Sequence, residues 1–149
     1  MKLPLLMLIA GVLPCAAVAA AGPQVVSLTQ TPCQFLESEG GRDRGFKSAR
    51  GADCEAVNAR TGEQRLAESK TLELKPGKYI FRVTNRDVPY ELGFWLRGAT
   101  LKERALLPSV SGGGLTAGRT QDYAIELKRG NYVYSCPLNP TPDYRLVVR

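Results

Sequence analysis

Residues 131–148 read NYVYSCPLNPTPDYRLVV: a strand-like run ending in Cys136, a proline-rich loop, and a second strand-like run. Cys136 is the side chain there with chemistry to offer, because a thiolate is a nucleophile and a soft metal ligand. Asn139, Asp143 and Tyr144 follow it, and Tyr90 sits in an earlier loop, Val88-Pro89-Tyr90. The chain contains no histidine. That absence removes Ser-His-Asp and Cys-His catalysis, since nothing is left to take the proton from the nucleophile. It also removes the commonest ligand of zinc and copper sites. Both methionines, Met1 and Met7, lie near the start of the chain, far from this loop. SGGGLTAG (111–118) is glycine-rich but lacks the Gly-Lys-Ser/Thr ending of a phosphate loop, and is expected to be a flexible surface connection. These residues argue against an enzyme.

The segments that must position Cys136 and Tyr90 alternate like strands. In KYIFRVTN (78–85), Tyr79, Phe81 and Val83 share one face. In DYAIELK (122–128), Tyr123, Ile125 and Leu127 point inward. VVSLT (25–29), TLELK (71–75), YELGFWLRG (90–98), YVYSC (132–136) and YRLVVR (144–149) have the same character. Within YELGFWLRG, Phe94 and Trp95 must face opposite sides, one toward the core and one outward. Arg129-Gly130-Asn131 reads as a hairpin turn. Only 55–69 and 102–107 have helical character, and both are short. Many short strands at near-regular spacing predict an all-β sandwich or barrel in one domain.

Two quoted segments carry a resemblance. LKPGKYIFRVTNRDVPYELGFW and, later, LKRGNYVYSCPLNPTPDYRLVV together resemble the cupredoxin family, plastocyanin-like domains that hold one copper for electron transfer. Gly130, Tyr132 and Cys136 match its Gly-x-Tyr-x-x-x-Cys, and Asn85 with Val88-Pro89-Tyr90 matches its earlier strand and loop. The resemblance implies a Greek-key β-sandwich. It places Tyr90, Cys136, Asn139 and Tyr144 at the ligand positions, where the family carries histidine, cysteine, histidine and methionine. Only Cys136 is kept. A type 1 copper site needs two imidazoles and a thiolate, so the implied site is degenerate and no cofactor is expected. The alternative is a copper-binding or electron-transfer protein with an unorthodox site built on Cys136. The favoured role is a non-enzymatic binding or accessory module whose surface is Tyr90, Asn139, Asp143 and Tyr144.

The chain has 149 residues and a formal net charge of +6. That excess suits solubility but is no dense basic stripe for nucleic acid. Lys2, the run LPLLMLIAGVLP and the small residues CAAVAAAG have the layout of a secretory signal peptide, with cleavage expected after Ala21. The run is too short to span a bilayer. An exported, periplasmic domain over 22–149 is expected. Its partner would be another exported protein or a small ligand, with no nucleic acid and no stable membrane anchor. In an oxidising compartment, Cys33 and Cys54 lie in the same polar stretch and are expected to pair. That closure would contribute roughly 3 kcal/mol and would pin a loop-rich part, 22–70. Cys136 is then the odd thiol. GGRDRGFKSAR (40–50) is read as a solvated loop.

Overall fold

A computed structural model describes residues 22–149. The leader reading of 1–21 lies outside the described residues. The strands are β1 (Gln24–Thr31), β2 (Gln34–Phe35), β3 (Leu72–Leu74), β4 (Gly77–Asn85), β5 (Leu92–Gly98), β6 (Val110–Leu115), β7 (Thr120–Leu127), β8 (Gly130–Ser135) and β9 (Tyr144–Val148). The helices are α1 (Gly51–Glu68) and α2 (Leu101–Leu106), with a single 3₁₀ turn at Glu37–Glu39. One sheet runs in the order β2-β1-β4-β7 and the other in the order β3-β9-β8-β5-β6. Both are mixed, because β1 runs parallel to β4 and β3 parallel to β9 while the other pairings are antiparallel. The molecule is a mostly-β sandwich of two mixed sheets with few helices.

Alternation builds its core. Tyr79, Phe81 and Val83 of β4 are buried, as are Tyr123, Ile125 and Leu127 of β7. From the other sheet, Leu92, Phe94 and Leu96 of β5 meet them. Phe81 stacks on Phe94 at 5.5 Å between ring centroids, and Phe35 meets Tyr134 edge-on at 5.6 Å. Aromatic pairs in these geometries contribute beyond their buried area. Phe94 is buried and its neighbour Trp95 is 37% exposed, as the strand period requires.

Three segments differ from the sequence expectation. SGGG is not a loose connection: Val110–Leu115 is strand β6, paired with β5. A Cβ at Gly93 would lie 2.6 Å from the Gly112 carbonyl oxygen, so the bare glycine is what lets the two backbones approach. Arg129-Gly130-Asn131 is not a hairpin: Arg129 bends the chain from β7 in one sheet to β8 in the other, and Gly130 and Asn131 already belong to β8. The segment 22–70 holds more regular structure than a loop-rich part, including β1 and the 18-residue α1.

Helix α1 begins where Asp53 accepts hydrogen bonds from the backbone N–H groups of Ala49 and Arg50, at 2.8 and 3.2 Å. A carboxylate in the first turn also suits the helix dipole. The helix ends at Ser69, whose N–H donates to the Leu66 carbonyl. Only Cys54 and Arg65 of α1 are buried. They lie eleven positions apart, about three turns, and so share one face. The helix is held by a disulfide and a buried ion pair rather than by an apolar stripe.

Candidate functional site

Strand register brings the two loops of interest to one end of the sandwich. Gln30 of β1 stands beside Asn85, the last residue of β4. Ser135 at the end of β8 stands opposite Trp95 of β5, so Cys136 leaves the sheet beside the start of β5. The loop after Asn85 and the loop after Cys136 therefore meet, although they are distant in sequence.

Asn139 is the centre of this end. It is fully buried, and its Oδ1 accepts the Cys33 N–H at 2.8 Å. Its Nδ2 donates to the Thr31 carbonyl at 3.0 Å and to Gln30 Oε1 at 3.3 Å. The Tyr90 hydroxyl lies 3.4 Å from Asn139 Oδ1 and 2.9 Å from Ser48 Oγ. The disulfide sulfur of Cys54 touches the same Oδ1 at 3.2 Å. Cys33 and Cys54 are bonded, and Cys136 is the one free cysteine among the described residues. Its sulfur accepts the backbone N–H groups of Asn139 at 3.2 Å and Gly93 at 3.4 Å. Tyr90, Cys136 and Asn139 thus come together.

Asp143 and Tyr144 do not join them. Asp143 accepts Arg97 Nη2 at 2.8 Å on the outer face of the five-stranded sheet, where the Arg97 guanidinium lies 3.9 Å from the Trp95 ring centroid. Tyr144 is buried, stands opposite Tyr134 in the β8–β9 pairing, and donates its hydroxyl to Glu39 at 2.6 Å. Glu39 also pairs with Arg65 at 2.7 Å and Arg44 at 2.5 Å. Arg65 in turn donates to the Cys33 carbonyl at 2.8 Å. Tyr144 therefore belongs to a buried ionic cluster that reaches the Asn139 loop through the Cys33 backbone and through Asn58, which accepts from Arg65 and donates to the Pro140 carbonyl.

Burial sets the electrostatics. It pushes the Cys136 thiol up, outweighing the N–H groups that aim at its sulfur, so the sulfur is protonated at neutral pH. Tyr90 is likewise raised by burial, against the opposing hydrogen bond from Ser48. Burial alone would raise Glu39, yet hydrogen bonds from Arg65, Tyr144 and Arg44 outweigh it and hold the carboxyl below its ordinary value. A neutral, enclosed thiol is a poor nucleophile.

The donor set does not fit a copper ion. The Cys136 thiol and the Tyr90 phenol, both raised by burial, would have to ionise, the Asn139 amide is already engaged on both sides, and Tyr144 is turned away toward Glu39. Among the described residues no cluster of three or more Cys, Asp or Glu side chains is placed to hold a metal. Beside this end a cavity of about 550 Å³ opens between the 43–49 loop and Asp87–Pro89. Asp43, Phe46, Ser48, Asp53 and Asp87 line it, and Ser48 links it to Tyr90.

Sequence reasoning did not single out Gln30, Ser48, Glu39 or Arg65. Gln30 is buried, bridging Asn139 to the Gly93 carbonyl, which its Nε2 reaches at 2.8 Å. A polar residue at an inward strand position was its only signal. Comparison with protein-family models finds no match, and comparison with curated proteins finds none either. The class that fold and site define is a disulfide-containing β-sandwich with a buried polar cluster centred on Asn139 at one end.

Proposed function

We propose that the protein is an exported, non-enzymatic, cupredoxin-like binding or accessory module without a type 1 copper site. One observation carries the reading: Asn139, standing where the resemblance puts a histidine ligand, spends its amide on Cys33, Thr31 and Gln30. Its groups tie the β1–β2 turn to the loop after β8 instead of facing a metal. The disulfide and Tyr90 complete the frame. A rigid end of this kind presents its loops for recognition, as loops on a stable scaffold commonly do. The adjoining cavity falls within the usual ligand-pocket range of about 300–1,000 Å³. It offers an aromatic ring, a hydroxyl and three carboxylates to a small ligand or to a side chain of another exported protein.

Site-specific photo-crosslinking tests this reading. A photoreactive phenylalanine in place of Ala49, on the cavity wall, should give a discrete adduct in cells that export the protein. The same group in place of Ala124, on the exposed face of β7, should give none. Equal labelling from both positions, or none from Ala49, would remove the support for this end as the binding surface.

A further inference from the structure

The end of the sandwich opposite Cys136 has a character of its own. Gly77 pairs with Leu127, Gly130 with Val148, and Gly98 with Tyr132, so the strands finish together there. The turn at Lys75, the turn at Lys128–Arg129 and helix α2 cap this pole. Lys75, Lys102, Arg104, Lys128 and Arg129 are exposed, and none has a carboxylate at ion-pair distance among the described residues. Two of the nearby acids are occupied, and the other stands opposite a lysine. Glu73 pairs with Arg149, Glu126 stands opposite Lys78, and Glu103 accepts from Asn131 and Thr100.

From this basic pole two leucines project. Leu101 is 83% exposed and Leu106 is 67% exposed, the largest values among the exposed large hydrophobics. Helix α2 that carries them is seated hard on β5, since a Cβ at Gly98 would lie 2.3 Å from the Glu103 carbonyl carbon. Thr100 and Glu103 cap its start reciprocally, at 3.2 and 3.1 Å. The leucines are therefore held outward on a fixed support.

We propose that this pole docks reversibly on an anionic lipid surface, with Leu101 and Leu106 entering the interface while the surrounding lysines and arginines meet the headgroups. Charge complementarity and shape both favour that occupant. Basic residues flanking apolar ones are the pattern of peripheral membrane contact. A leucine exposed to this degree needs a matching hollow in a protein partner, whereas a fluid bilayer conforms to it. The proposal concerns the pole opposite the cavity and stands independently of the function proposed above.

Flotation of the purified protein with large unilamellar vesicles tests it. The protein should float with phosphatidylcholine–phosphatidylglycerol vesicles at low salt and stay behind with pure phosphatidylcholine. High salt should release it. Lys128→Glu/Arg129→Glu and Leu101→Ser/Leu106→Ser should each weaken anionic-vesicle binding by about tenfold or more. All four side chains face solvent, so the fold should be retained, and circular dichroism checks that it is. Absence of binding to anionic vesicles at low salt overturns the proposal. So does binding that the leucine variant leaves undiminished, since that marks adhesion to any polyanion, an acidic protein included.

Discussion

Asn139 ties the β1–β2 turn to the loop after β8 with one short side chain, and its removal should be felt far beyond its size. Asn139→Ala leaves the Cys33 N–H and the Gln30 Oε1 without their partner in a site where water has little access. An unsatisfied buried donor or acceptor costs about 1–3 kcal/mol. We expect Asn139→Ala to lose about 2–4 kcal/mol in urea unfolding, while Tyr90→Phe, at a half-buried hydroxyl, loses less. A loss under about 1 kcal/mol for Asn139→Ala would show that the loop is not held this way. Legibility at this scale was uneven. The spacing Cys136 to Asn139 and the loop at Tyr90 marked three residues that do converge. Tyr144 was misleading, because its place at the start of β9 turns the ring inward onto Tyr134 and its hydroxyl toward Glu39.

At the scale of elements, α1 hangs on Arg65 and the Cys33–Cys54 bond. Strands were readable because their faces alternate, and Tyr79, Phe81 and Val83 needed no further context. Helix α1 was read short because it has no apolar stripe: its attachment is one half-cystine and one arginine, and neither gives a helical hydrophobic period. Strand β6 was hidden because its glycines serve close backbone approach to β5, which composition alone does not distinguish from looseness. Arg65→Ala would leave the buried Glu39 carboxylate with only Arg44 and the Tyr144 hydroxyl, and should destabilise the protein by about 1.5–3 kcal/mol, read as a shift in urea midpoint.

The same cluster gives a pH dependence. The folded Glu39 carboxyl lies below its ordinary value, so its contribution is present above the unfolded carboxylate range, near about 4.3. It is lost as pH falls from there through the lower folded value. Thermal melts from pH 7 downward should show wild type losing its advantage over Glu39→Gln across that acid window. A difference between the two that stays constant through it would contradict the assignment.

Across the whole molecule, chemistry is divided between two poles. One carries the disulfide, Asn139, Tyr90 and the cavity. The other carries uncompensated cations and the two projecting leucines of α2. The sandwich between them was legible from strand periodicity, but this polarity was not. It depends on which turns the sheet order gathers at each end, and that order follows from long-range pairing such as β1 beside β4. Net charge alone, at +6, did not disclose where the charge lies.

The central claim is that the Cys136 end is a polar frame for recognition and not a copper centre. Titration of the metal-free protein with Cu(II), followed by visible absorption and electron paramagnetic resonance beside Cys136→Ser, tests it most directly. No intense thiolate-to-copper absorption and the same weak binding in both proteins are expected. Stoichiometric copper with a strong blue band that disappears in Cys136→Ser would contradict it.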